Sequence, residues 1–181
     1  MLTPSASIVD AVRTISSVYS GIGGIPIEAC DPASRRRLAR QPYNPIMAQW
    51  LVKEEPEHYG FDQLERDGTS AWTGVRNPLA QKHLRGIRKG DRIFYYHTGK
   101  EKAVVAIAQA TCHAYPDPSD ASGALHAFDI APVRKLAKPV TLAAIKADPA
   151  FASFPLVRMS RLSVMPVTDA EWKRIEEMSR S

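Results

Sequence analysis

Aromatic side chains stand beside basic or amide side chains at three places in this chain. Flat rings can stack on nucleic-acid bases at about 1–3 kcal/mol per base. Arginine and lysine can hold phosphates, and amides or hydroxyls can read base edges. The three places are Trp50 with Lys53, Trp72 with Arg76 and Asn77, and Tyr95-Tyr96-His97 shortly after Arg92. This combination predicts a protein that binds nucleic acid.

The sequence lacks the motifs of the common enzyme classes. It contains no G-x-S-x-G, no P-loop and no G-x-G-x-x-G. No two of its five histidines stand four residues apart, so no helix carries an i,i+4 metal pair. Glu54, Glu55 and Glu57 surround Pro56 and could form an acid–base couple, but an exposed acidic turn is the commoner meaning of such a cluster. We therefore predict a protein that is not an enzyme and has neither a metal nor another cofactor.

Positive charge is concentrated in one stretch of the chain. The whole sequence has 24 Lys+Arg and 19 Asp+Glu, a net charge of +5. Residues 76–102 alone contain eight basic and two acidic residues, so they carry 8 − 2 = +6. The basic residues are Arg76, Lys82, Arg85, Arg88, Lys89, Arg92, Lys100 and Lys102. Such a stretch either contacts a polyanion or is a solvated face, and charge alone does not decide between them.

Composition is typical of one soluble globular domain. Of 181 residues, 44% are hydrophobic and 24% are charged. No apolar run approaches the roughly 20 residues of a membrane helix, so no membrane partner is expected. Cys30 and Cys112 are too few for a disulfide scaffold, which favours a reducing, cytoplasmic compartment.

The first 46 residues differ from the rest. They are rich in glycine and proline, show weak periodicity and contain the basic run Arg35-Arg36-Arg37. This composition predicts a disordered or weakly ordered extension. Residues 1–7 include no basic residue, which argues against a secretory signal. We expect Met47 to be the natural start and the folded domain to cover residues 47–181; the alternative is a basic arm that adds phosphate contacts.

Patterning after residue 47 predicts five strands and several short helices. The strands are 49–53, 91–98, 102–112, 125–135 and 162–167; the helices are 61–66, 77–85, 141–147 and a C-terminal helix opened by the capping box Thr168-Asp-Ala-Glu171. The second and third strands form a hairpin. Because no βαβ repetition is present, we predict an α+β domain with a small, strongly bent mixed sheet or open β-barrel flanked by short helices.

The aromatic residues differ in how strongly this pattern places them in the core. Trp50 lies in a strand, where tryptophan is usually buried. One face of strand 93–97 must also be core, so Tyr96 or His97 could be buried. Trp72 falls in a predicted turn, residues 69–74, where no periodicity requires a core residue. It is therefore the better candidate for a functional ring.

Five motifs, in this order and spacing, resemble the EVE domain, which is found as a stand-alone bacterial protein. They are Trp50-Leu-Val-Lys-Glu-Glu-Pro56, Trp72-Thr-Gly-Val-Arg-Asn77, Gly90-Asp-Arg-Ile-Phe-Tyr-Tyr-His97, Ala114-Tyr-Pro-Asp-Pro118 and Arg158-Met-Ser-Arg-Leu-Ser163. The resemblance extends over about residues 49–178. It implies a PUA-like fold and binding of DNA or RNA through a pocket for a flipped, modified base such as methylated or hydroxymethylated cytosine.

The resemblance also implies which residues bind. The pocket would be formed by Trp50, Lys53, Trp72, Val75, Asn77, Tyr96, His97, Ser160 and Ser163. Within this set, Trp72 would be a pocket wall, and Asn77 would be either a helix cap or a reader of base edges. Phosphates would be held by Arg76, Lys82, Arg85, Arg88, Lys89, Arg158 and Arg161.

Three departures from the family pattern bear on ligand choice. Glu54 replaces a common serine and would repel a nearby phosphate, and Thr73 replaces a common aspartate. Pro78-Leu-Ala-Gln81 replaces Tyr-Gln-Ala-Arg, which removes a ring and a cation from the expected ligand side. The leading hypothesis is a non-enzymatic reader of a modified base. The alternative is a modified-nucleotide or small-molecule sensor that uses the same pocket without binding a polymer. The sequence names no effector protein.

Overall fold

Seven strands and six α-helices form residues 47–181, the part of the chain that the computed structural model describes. The strands are β1 (Gln49–Glu54), β2 (Ser70–Trp72), β3 (Arg92–His97), β4 (Ala103–Ala110), β5 (Tyr115–Pro116), β6 (His126–Thr141) and β7 (Val164–Pro166). The helices are α1 (Pro56–Tyr59), α2 (Phe61–Asp67), α3 (Pro78–Leu84), α4 (Leu142–Ala147), α5 (Pro155–Arg158) and α6 (Asp169–Met178), with a 3₁₀ turn at Pro149–Phe151. The prediction for residues 1–46 falls outside the described residues.

A bent mixed sheet organises these elements. Its strand order is β2-β6-β4-β3-β1-β7, and β5 pairs with β6. β1 and β3 are parallel, and the other pairs are antiparallel. The register shifts where β4 meets β3 and again where it meets β6. Because an extra residue in one strand bends a sheet, these shifts curve it into an open half-barrel flanked by short helices. The predicted α+β architecture is confirmed.

The predicted helix caps are present. The Asn77 side-chain oxygen accepts hydrogen bonds from the N–H groups of Leu79 and Ala80, at 2.9 and 3.0 Å. Thr141 caps α4 in the same way, and α6 begins with the complete capping box of Thr168 and Glu171. These oxygens satisfy N–H groups that have no partner inside the helix.

The strand predictions need correction in the second half of the sheet. Residues 69–74 contain β2, in which Ser70, Ala71 and Trp72 pair with β6, so the prediction of a turn there is wrong. A strand of three residues is too short for periodicity to reveal. β6 also continues to Thr141, beyond the predicted end at residue 135, because it keeps pairing with β4.

Both faces of β3 are buried. On one side, which we call the α6 face, Phe94 stacks on Trp172 with ring centroids 3.7 Å apart. On the other side, the α2 face, Tyr95 meets Phe61 and Trp72 edge-on at 5.5 and 5.7 Å. Helices therefore cover both sides of the central strands, α6 on one side and α2 on the other.

A buried carboxylate joins the first strand to the third. Asp91 is 4% exposed. It accepts hydrogen bonds from the Trp50 indole N–H at 2.8 Å and from the backbone N–H groups of Ala48 and Arg88, at 3.1 and 2.9 Å. Three donors take the place of water around the charge. Asp91 thus ties the start of β1 to the turn that leads into β3.

We expect Asp91→Ala to lower the free energy of unfolding by about 3 kcal/mol or more, because three donors lose their acceptor. Urea denaturation followed by tryptophan fluorescence measures the change. Asp62→Ala is the matched control, since that carboxylate is exposed and contacts the exposed Lys135; it should leave the midpoint unchanged. Similar losses for both variants would contradict the role given to Asp91.

Candidate nucleic-acid interface

A cavity of about 210 Å³, here called the small cavity, opens on the α6 face. Its volume corresponds to about seven liquid water molecules, which suits one single-ring base. Tyr96, Leu142 and Leu156 supply apolar wall, and Thr98 and Ser160 supply polar groups. Burial raises the pKa of Tyr96, so its phenol stays protonated at neutral pH.

Three predicted pocket residues meet in the small cavity: Lys53, Tyr96 and Ser160. In the β1–β3 register Lys53 stands opposite Tyr96, so both side chains point to the α6 face. The Lys53 ammonium donates to the Ser160 carbonyl at 2.5 Å. Ser163 joins the same corner through its backbone, because its carbonyl accepts the Lys53 N–H at 2.9 Å. The structure therefore brings the first and last motifs together.

Unneutralised cations surround this cavity. Lys102 and Lys146 line it together with Lys53. Arg158 at the end of α5 and Arg161 on the following loop, which carries Ser160, are exposed. Within residues 47–181, none of these five cations has a carboxylate within ion-pair distance. The cavity mouth therefore has a positive potential that favours a polyanion.

The predicted tryptophans and Val75 lie elsewhere. Trp50 pairs with Ile93 and points to the α2 face, where its ring lies 6.4 Å from that of His83. Trp72 is 7% exposed and packs on Tyr95, and Val75 is also buried. None of the three lines the small cavity. The expectation that Trp72 is free of core packing is therefore wrong, because β2 pairs with β6 and packs the Trp72 ring against Tyr95 and Phe128.

Asn77 and the cations of the α3 region form a separate surface. Asn77 acts as the helix cap, and its side-chain oxygen already accepts two N–H groups. The Arg85 guanidinium donates to the Ala124 carbonyl at 2.8 Å and so holds a neighbouring loop. The other predicted phosphate-binding cations of this region, here called the α3 track, are exposed: Arg76, Lys82, Arg88 and Lys89. Because the Trp50 ring contacts α3, this track lies on the face opposite the small cavity.

His97 belongs to a second, larger cavity of about 700 Å³ beside α1 and α2. Its Nε2 accepts the Phe61 N–H at 3.1 Å, which places the ring proton on Nδ1, 2.6 Å from the Glu101 carboxylate. Glu57 and Asp62 also line this cavity. Arg66 and Lys135 line it as well, and Lys135 pairs with the Asp62 carboxylate at 2.7 Å. The larger cavity therefore mixes both signs of charge, whereas lysines and no carboxylate line the small cavity, which favours a phosphate there.

The departures from the family pattern fall away from the small cavity. Glu54 does not line it, and burial raises the pKa of the Glu54 carboxyl. Thr73 is buried. The Gln81 amide is also buried and donates to the Val75 and His126 carbonyls at 2.7 and 3.0 Å. Gln81 thus joins α3 to β6 through its buried amide and does not line the small cavity.

Sequence reasoning missed several residues of the small cavity. Lys102 belongs to the basic stretch but has no predicted pocket role, and the motifs do not include the other lining residues Thr98, Leu142, Lys146, Leu156 and Val157. They come from a hairpin and two helices that the family motifs leave uncovered. For these missed residues, the charge run that ends at Lys102 is the sequence signal that points to this corner.

Within residues 47–181 no group of three or more His, Cys, Asp or Glu side chains is placed to hold a metal ion. In the same range no helix has the length and apolar character needed to cross a membrane.

Comparisons with known proteins agree with the motifs. The EVE domain model matches residues 48–178. Rpa0253 from Rhodopseudomonas palustris, solved by NMR, is 49% identical with a TM-score of 0.71, covering 74% of this chain and 93% of that chain. Human THYN1, crystallised in complex with DNA containing 5-methylcytosine, is 25% identical with a TM-score of 0.68, covering 74% and 98%.

Thymocyte nuclear protein 1 of Gallus gallus is 36% identical over 80 residues, which are 38% of this chain and 33% of that protein. The match therefore spans about a third of that relative's length. The predicted PUA-like architecture is confirmed by the solved neighbours. The EVE family model matches most of the chain, and the fold agrees with that of the solved relatives. The chain therefore belongs to the EVE domain family.

Proposed function

We propose that this chain is a non-enzymatic nucleic-acid-binding protein whose small cavity receives a modified base such as 5-methylcytosine. The observation that carries the proposal is the meeting of Lys53, Tyr96 and Ser160 in one cavity bordered by cations without carboxylate partners in residues 47–181. The human relative in complex with 5-methylcytosine DNA supports the choice of ligand.

The small cavity can offset the cost of taking a base out of its stack. Unstacking costs a few kcal/mol. Contact with the Tyr96 ring can return about 1–3 kcal/mol, and the Lys53 ammonium and Thr98 hydroxyl can bind the base edge. A methyl group against Leu142 or Leu156 adds about 0.8 kcal/mol, or about fourfold in affinity. Preference for the modified base is therefore modest unless the methyl group also excludes water.

We expect the full chain to bind oligonucleotides with an affinity that falls as salt rises, because phosphate contacts release counterions. Fluorescence anisotropy with single- and double-stranded DNA and RNA, each with and without 5-methylcytosine, measures this at two salt concentrations. The modified form of one polymer should bind about fourfold more tightly. If no polymer binds while circular dichroism shows a folded chain, the alternative of a nucleotide or small-molecule sensor is favoured.

Two double variants test which face of the protein contacts the phosphate backbone of the nucleic acid. Arg158→Gln with Arg161→Gln removes cations beside the small cavity; Lys82→Gln with Lys89→Gln removes cations from the α3 region on the opposite face. We expect the first pair to weaken binding to all sequences alike and to reduce the salt slope by about two. The second pair should change neither quantity. The reverse result would place the backbone along α3.

A further inference from the structure

We propose that the small cavity is an anion receptor, which takes a nucleotide with its phosphate and not a neutral base alone. The proposal rests on the proposed function and adds a chemical requirement to it. Three lysines reach the cavity from three separate elements: Lys53 from β1, Lys102 from the β3–β4 hairpin and Lys146 from α4. Like charges that are held close together repel one another, and an anion between them relieves that repulsion.

The charge balance of the cavity supports this proposal. No aspartate or glutamate lines it, and within residues 47–181 none of the three lysines has an ion-pair partner. Burial lowers the pKa of Lys53, so its charged form is held at a cost in the free protein. A bound phosphate would offset that cost through charge-assisted hydrogen bonds. A neutral nucleoside would leave the three ammonium groups unpaired.

The backbone at Lys102 supplies an independent observation. Its φ is +43°, and it is the non-glycine residue with a left-handed backbone among residues 47–181. Such a conformation is unfavourable for a side chain with a Cβ and persists where the surroundings hold it. Here the Lys102 carbonyl accepts the Leu142 N–H at 2.7 Å, which ties the hairpin to the start of α4. Most residues with a positive φ are glycines, which have no side chain. At this position the turn instead places a lysine side chain at the cavity wall.

The position of the lysines suggests where the phosphate lies. Lys53 is half-buried and donates to the Ser160 carbonyl, whereas Lys102 and Lys146 are exposed. The phosphate of an inserted nucleotide would therefore lie near Lys102 and Lys146 at the mouth, with the base toward Tyr96. A carboxyl group on the base would offer similar negative charge, so the test separates the two sources.

The test is a calorimetric titration of the full chain with 5-methyl-2′-deoxycytidine, its 5′-monophosphate and 5-carboxy-2′-deoxycytidine, alongside anisotropy with a 5-methylcytosine oligonucleotide. We expect the monophosphate to bind at least tenfold more tightly than the methylated nucleoside. Tighter binding of the carboxylated nucleoside than of the monophosphate would place the anion on the base. Equal affinity for all three would overturn the proposal.

Lys102→Gly makes the test independent of folding. Glycine accepts the positive φ, so the thermal midpoint should not fall, while affinity for the monophosphate and the oligonucleotide should fall about fivefold to tenfold. Lys100→Gln, an exposed lysine of the same turn that does not line the cavity, is the matched control and should bind normally.

Unchanged oligonucleotide binding by Lys102→Gly would overturn the anion receptor and leave the proposed function intact. Absence of oligonucleotide binding by the unmodified chain would contradict the proposed function itself. In that case tight binding of the monophosphate would still support the receptor.

Discussion

The parallel pairing of β1 with β3 decides which chemical groups reach each side of the sheet. With Trp50 opposite Ile93 and Lys53 opposite Tyr96, the indole points toward α3 and the ammonium points into the small cavity. A slip of one residue would exchange these faces. Asp91 holds this register where β1 and β3 begin. Its carboxylate accepts from the Trp50 indole and from backbone N–H groups before β1 and before β3.

Local chemistry made much of the fold predictable. Asn77, Thr141 and Thr168 indicate where helices begin, because their side chains cap N–H groups two or three residues later. Such a short-range interaction can be predicted directly from the sequence. β2 was missed because its three residues become a strand only through pairing with β6, far away in the chain. Burial of Trp72 follows from that same long-range pairing, so no local pattern could have shown it.

The candidate site was less predictable than the fold. A motif is a run of neighbouring residues, whereas successive side chains along a strand point to opposite faces of the sheet. Trp50 and Lys53 share one motif, yet they are three residues apart in a strand and so point to opposite faces. The same geometry separates His97 from Tyr96 and sends them to different cavities. Conversely, Lys146 lies far from every motif and still reaches the small cavity, because α4 follows directly on the last residue of β6.

The hydrogen bond from Leu142 to the Lys102 carbonyl has a consequence for how this domain can vary. Hairpin turns usually accept inserted residues, since they lie on the surface and few contacts constrain them. Here an added residue would break the link to α4 and turn Lys102 away from the cavity. The length of the turn between His97 and Ala103 is therefore as much a part of the binding surface as the side chains that it carries.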